Sequence, residues 1–502
     1  MKRILAATML VLMAIIFCTA RAHAEPPRRW LPVDEDGWTI LRPSEDSRIH
    51  YVSSSSGDDD AARAYPADHT AVGKDPFHPA GSVKPFRTIS AALSHARDGH
   101  PDWVLLKRGD SWSEPLGDPP DGRSRSKPFV ISSYGEAPDR PQIRLHRRQS
   151  GVRFDIHEGC RNLAIVGLEF YAPGKDPDSP EFTRDCRVKT GIQLFVSGKP
   201  RAQAHGLLIE DCCLRFCGAT FMLARDRSPD APEPIKDLVF RRNLVLGNYS
   251  RTSHAQGTYA SRVSILLEEN IYDHNGWLIQ ERGNRKKRGG ATMFNHNTYF
   301  CDCHDVAFRG NMFLRASSIG NKWTANSGPG SARNLVMDNN LYVEGEIGIS
   351  AGGNKAGPRR FKNVHITDNV LMHIGRGRPT LRNLGWGIDV QDWDGGAVTG
   401  NAFVHRPDEN VTNVYSLSMG ASDESGLCRD VAVHDNVFCG APVKFTRHAD
   451  RLRNVEFARN TVLMPWLEMP LIRTDGTVEG CIFSNNTYSS RSPVDEWFNL
   501  GG

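Results

Sequence analysis

One six-position pattern constrains this chain more than anything else in it: apolar, two variable residues, asparagine, one variable residue, large apolar. It reads Phe240-x-x-Asn243-x-Val245, Leu267-x-x-Asn270-x-Tyr272, Phe294-x-x-Asn297-x-Tyr299, Phe308-x-x-Asn311-x-Phe313 and Met337-x-x-Asn340-x-Tyr342, and it continues at Asn369, Asn401, Asn436, Asn460 and Asn486. Two earlier rungs, Ile165-x-x-Leu168-x-Phe170 and Ile209-x-x-Cys212-x-Leu214, keep the frame with the asparagine replaced. Successive asparagines lie 27, 27, 14, 29, 29, 32, 35, 24 and 26 residues apart. Before most of them apolar and polar residues alternate, as in Val364-His365-Ile366 and Val455-Glu456-Phe457, which is strand periodicity. Such a period, filled by two or three short strands, is one coil of a parallel β-solenoid.

The repeat replaces the three domains that 502 residues would otherwise suggest. Asparagine suits the rung because it tolerates the left-handed backbone that a corner needs. Its amide can also stack in register with the coils above and below. The 14-residue step from Asn297 to Asn311 breaks the register: either two corners of one coil carry asparagine, or one coil is unusually tight.

The front of the chain adds Tyr51-Val52-Ser53 before Gly57-Asp58-Asp59, then Lys84-Pro85-Phe86-Arg87-Thr88-Ile89 leading into Ala91-Ala92-Leu93-x-x-Ala96, a short amphipathic helix. With the repeat, these motifs resemble the right-handed parallel β-helix proteins of the pectate-lyase-like superfamily over residues 49 to 488. The resemblance implies an all-β chain, a single-stranded right-handed parallel β-helix whose N-terminal helix caps the open apolar end. It implies no single reaction, because the superfamily hosts several chemistries. Two motifs of its pectinolytic members, Arg-x-Pro-x-x-Arg and Gly-His-Gly, are missing from this sequence.

Four segments are expected. Residues 1–24 read as a signal peptide, with Lys2 and Arg3 before an apolar run and Ala22-His23-Ala24 as the cleavage site, so the mature protein is expected to be secreted or periplasmic. Residues 25–150 hold the lead-in, the cap and the first coils, 151–488 the regular helix, and 489–502 the tail. Removing the signal leaves 59 Lys+Arg against 58 Asp+Glu, a balance that excludes a dedicated nucleic-acid binder. No second apolar run is long enough to span a membrane, and a monomer is expected. Ten cysteines remain, to be met as buried thiols or as one or two disulfides.

The richest chemistry lies at 294–326. His296 and Tyr299 can act as base and acid, Arg315 and Lys322 as carboxylate binders, Arg309 as a substrate contact, and Trp323 as a sugar-stacking platform. Asn-His-Asn-x-Tyr followed by Arg-Ala-Ser-Ser-x-Gly resembles exported bacterial β-helix proteins expected to act on polysaccharides. β-Elimination on a uronic-acid chain needs just such a set: a cation at the C6 carboxylate, a base for the C5 proton, and an acid for the leaving oxygen. Tyr272 and Tyr342 occupy the same motif position as Tyr299, which points Tyr299 towards the core.

A second cluster holds Asp389, Gln391, Asp392 and Asp394, with Asp389 and Gln391 outward if Ile388 and Val390 point in. It offers a Ca²⁺ site, the paired carboxylates of a hydrolase, or merely an acidic turn. The basic run Arg285-Lys286-Lys287-Arg288 is either a solvated loop or a local attractor for a polyanion. The expected function is an exported carbohydrate-active enzyme, a lyase or epimerase acting on an anionic polysaccharide. The alternatives are a glycoside hydrolase of the same fold and a non-catalytic glycan-binding solenoid.

Overall fold

A computed structural model describes residues 27–154, 159–183, 186–188, 190–196, 203–223, 235–250, 253–279, 290–352, 360–445, 448, 451–476, 478 and 480–500. The signal segment and the basic run at 285–288 lie outside the described residues. Two compact units are present, residues 27–299 and residues 300–502.

Each unit is a right-handed parallel β-helix of three sheets. From residue 129 onward each described coil contributes one strand to sheet 1, passes a corner into a three- or four-residue strand of sheet 2, and ends in sheet 3; from Asn243 on, that corner holds asparagine. In residues 300–502 the coil through Asn369 runs Phe361–Thr367, Val370–Met372 and Gly385–Gln391. Its neighbours are Ala332–Asp338, Leu341–Val343 and Ile347–Ala351 on one side, and Trp393–Thr399, Ala402–Val404 and Val414–Gly420 on the other. All of these pair in parallel and in register. Val364, Ile366, Leu371, Ile388 and Val390 point into the core, as the two-residue alternation requires. The last strand of sheet 3, Phe498–Leu500, pairs in parallel with Ile472–Thr474.

Residues 27–299 repeat the plan with Gln203–Glu210, Cys213–Arg215 and Ala219–Leu223 as one coil. Here the helix Ile89–His95 is capped by Thr88, whose hydroxyl accepts the Ala91 N–H at 3.2 Å, and it buries Ile89 and Ala92. The lead-in is pinned by ion pairs: Arg29 meets Glu268 at 2.7 Å, and the buried Arg241 meets both Glu210 and Glu268 at 3.0 Å.

The asparagine ladder is continuous from Asn311 to Asn486. Each amide nitrogen donates to the next asparagine's Oδ1, at 2.9 Å from Asn340 to Asn369 and from Asn369 to Asn401. It also donates to a sheet-1 carbonyl, Asn369 to Met337 at 2.8 Å. The left-handed residue is not the asparagine but the one before it: Asn339, Asp368, Asp435 and Arg459 have φ of 53, 54, 60 and 54°. The asparagine keeps an ordinary φ because its side chain must turn into the corner. Cys212 holds its rung by the same bonds, its N–H donating to Asn243 Oδ1 at 2.9 Å and its thiol to the Ile165 carbonyl at 3.6 Å.

Asn297 leaves this ladder, which resolves the 14-residue step. It belongs to a second corner, where Asn248 donates to Asn275 at 3.2 Å and Asn275 to Asn297 at 3.1 Å. Two corners of a coil therefore carry asparagine. The ten cysteines of the described residues are free thiols. Among the described residues no helix is long and apolar enough to cross a membrane.

Candidate active site on the third sheet

In residues 300–502 the outward positions of sheet 3 stack into one row. Strand register aligns Lys322 with Ser350, Ser350 with Asp389, Asp389 with Ser418, Ser418 with Lys444, and Lys444 with Arg473. The strands enter this sheet hugging the core. A Cβ on Gly348 would lie 2.5 Å from Leu371 Cδ2, and one on Gly387 would lie 2.4 Å from the Ser416 carbonyl. That close approach fixes where the next outward residues, Ser350 and Asp389, emerge.

The row is a hydrogen-bonded relay. Lys322 Nζ donates to Ser350 Oγ at 3.1 Å and to the Gly352 carbonyl at 2.8 Å. Ser350 donates on to Asp389 Oδ2 at 3.2 Å, while Gln391 Nε2 donates to Asp389 Oδ1 at 3.0 Å. The Ser418 hydroxyl also bonds to the Asp389 carboxylate. Lys322 and Asp389 are only 8% and 5% exposed. Burial brings the Lys322 ammonium down to about 8, against the partial counter-pull of Asp389. Burial likewise raises the Asp389 carboxyl, with Lys322 and the hydrogen bonds opposing it. Both groups are thus moved towards neutrality by desolvation. Beside the row, Trp386 and Tyr415 meet edge to face at 5.9 Å, and Lys444 Nζ lies 5.2 Å over the Tyr415 ring.

Of the residues expected from sequence, the structure gathers Lys322, Asp389 and Gln391 here. Asp392 and Asp394 are elsewhere: Asp392 takes the Ser422 N–H at 3.1 Å in a turn, and Asp394 pairs with Arg429 at 2.6 Å on sheet 1. A convergent carboxylate trio is therefore not formed. For Ca²⁺, the Asp389 carboxylate is already bonded to Ser350, Gln391 and Ser418, and that of Asp475 is paired with Lys444 at 2.8 Å. Among the described residues no three His, Cys, Asp or Glu side chains gather as a metal site.

Three further expectations are corrected or relocated. Trp323 is 1% exposed and packs 5.0 Å from both Phe300 and Phe308, so it is a core residue with no face for a sugar. Adjacent strand residues face opposite ways, and an outward Lys322 requires an inward Trp323. Arg309 lies on sheet 1, 3.9 Å from Asp338, away from the sheet-3 row. Arg315 sits at an exposed corner with φ 46°, its N–H donating to the Val343 carbonyl at 2.9 Å.

His296 and Tyr299 stand together in residues 27–299, where their rings meet edge to face at 5.7 Å and Tyr259 lies 5.6 Å from Tyr299. His296 is buried, and its backbone N–H donates to Gln256 Oε1 at 2.6 Å. Tyr299 is half-exposed on sheet 3, whereas Tyr272 and Tyr342 are buried on sheet 2, so the motif equivalence drawn from sequence does not hold. The sequence reading missed Ser350, Ser418, Lys444, Arg473, Trp386 and Tyr415. The signal was present as single polar residues between apolar ones, as in Ile349-Ser350-Ala351 and Val443-Lys444-Phe445.

No protein-family model matches the chain, and no curated protein matches it. Solved structures similar to it include XylC in complex with xylose, at 10% identity over 89% of this chain and 86% of that one, with a TM-score of 0.49. Another is a mannuronic-acid-specific polysaccharide family 6 lyase from human gut microbiota, at 14% identity, 82% and 88% coverage, and a TM-score of 0.47. A third is GH136 lacto-N-biosidase from Eubacterium ramulus, at 13% identity, 88% and 68% coverage, and a TM-score of 0.42. The class of this chain is the one its own sheets define, the parallel β-helix.

Proposed function

We propose that this chain is an exported carbohydrate-active enzyme of the pectate-lyase-like superfamily that performs β-elimination on a uronic-acid polysaccharide. The observation that carries this reading is the buried Lys322–Ser350–Asp389 relay on an otherwise outward row. A solvated binding surface has no use for a desolvated lysine. A base for the C5 proton does, because a lysine near 8 supplies neutral amine at mildly alkaline pH. Lys322, expected from sequence as a carboxylate binder, is therefore read as the proton acceptor, held in place by Ser350 and the Gly352 carbonyl. His296 and Tyr299 retain the competing assignment as base and acid.

The test is incubation of the full chain with a panel of uronic-acid polymers, following the unsaturated product by ultraviolet absorbance. Lys322→Ala is expected to lower turnover by about 10²–10⁴-fold, the usual worth of a positioned base. Loss in His296→Ala with Lys322→Ala unaffected would move the base to His296. The raised Asp389 carboxyl favours a second reading, hydrolysis with Asp389 as general acid. Reducing ends without unsaturated product, abolished in Asp389→Asn, would establish that reading. Glycan retention without turnover, unchanged in every variant, would leave a binding solenoid.

A further inference from the structure

We infer that Arg473 is a carboxylate-binding subsite for an acidic polysaccharide lying along sheet 3. The inference rests on the polysaccharide reading above but not on β-elimination. Ile472 and Thr474 are buried, so Arg473 points outward, three rungs beyond Asp389 in the same register. Rungs are spaced by about 4.8 Å, close to the length of one sugar in an extended glycan, so a polymer along the row meets about one rung per residue.

Charge along the row is not evenly compensated. Lys322 is served by Ser350 and Gly352, and Lys444 Nζ is neutralised by Asp475 Oδ2 at 2.8 Å. Arg473 is half-buried, its Nε is shielded from water, and among the described residues its guanidinium has no hydrogen-bond or ion-pair partner. A buried Nε–H without an acceptor is a costly arrangement unless a ligand completes it. Its planar fork fits a carboxylate through two parallel bonds, which a lysine cannot offer. The Trp386–Tyr415 pair flanks the path between the relay and Arg473, and Lys444 stands over Tyr415.

Calorimetric titration of the full chain with uronate oligomers of graded length tests this, with carboxyl-reduced oligomers as controls. Arg473→Ala is expected to weaken oligomers long enough to reach it by about tenfold, the scale of one charge-assisted contact. Shorter and carboxyl-reduced oligomers should bind both proteins alike, and Arg473→Lys should recover part of the loss. Equal affinities of wild type and Arg473→Ala at every length would overturn the inference, as would equal sensitivity to carboxyl-reduced oligomers. If elimination is never observed but the length-dependent loss is, the catalytic reading fails and the subsite stands. If Lys322→Ala abolishes elimination while Arg473→Ala changes no affinity, the subsite fails alone.

Discussion

Asp389 raises the basicity of Lys322 against the larger opposing effect of burial. Removing that charge in Asp389→Asn should therefore lower the Lys322 pKa further. If Lys322 is the base, the rate rises with pH as its proton leaves, reaching a plateau above about 8 in the wild type. The midpoint of that rise should shift to lower pH in Asp389→Asn, and a pH–rate profile of the two proteins checks it. An unmoved midpoint would place the ionisation elsewhere. At this scale the sequence was partly legible. Alternation exposed Asp389 and Gln391 because Ile388 and Val390 are unmistakably apolar. Trp323 misled because an aromatic beside a lysine reads as a platform until the strand's two faces are assigned. Ser350 and Ser418 were invisible, since a serine between apolar residues carries no chemistry until register sets it beside a lysine and an aspartate.

At the scale of the element, the corner is the unit that repeats. Asn369 is fully buried, gives its amide to Met337 and Asn401, and receives the N–H and amide of Asn340. Asn369→Ala leaves those partners desolvated and unpaired and should cost about 2–4 kcal/mol, measured as a lower urea midpoint. Asn369→Cys should cost less, because Cys212 already occupies a rung in this chain through its thiol and backbone. Equal losses in both variants would mean that corner packing, rather than hydrogen bonding, sets the energy. The ladder was readable from spacing because each coil must return to the same corner. Its exception was not: the motif around Asn297 specifies an asparagine and an aromatic but not the sheet they join. Nor did the motif reveal that the left-handed turn falls one residue early, on residues as unlike as Asp368 and Arg459.

At the scale of the whole molecule, each coil is supported only by its neighbours, so stability should be graded along each unit. In residues 300–502 the final sheet-1 strand Cys481–Ser484 leaves Ile482 and Phe483 63% and 37% exposed, while Val390 and Met419 in the middle coils are fully buried. Hydrogen exchange should accordingly be fastest at 481–490 and slowest across 388–419. Uniform protection over both stretches would show that the unit opens as one cooperative body. The length of the chain suggested several domains, whereas its period pointed to coils. The one break in the spacing, the 14-residue step from Asn297 to Asn311, brackets the division into the units 27–299 and 300–502, but spacing alone does not say that a break in register is also a boundary between units.

The ladder is also a vector. From Asn311 to Asn460 every side-chain amide gives one hydrogen to the asparagine of the following coil, and among the described residues no bond between these asparagine side chains runs the other way. Seven carboxamide dipoles therefore add head to tail, as peptide dipoles do in an α-helix. Their N–H end, at Asn486, is electropositive, and their carbonyl end, at Asn311, is electronegative. Two faces made from one repeated residue are thus electrically unlike, and the polarity of the array follows directly from the direction in which the chain winds.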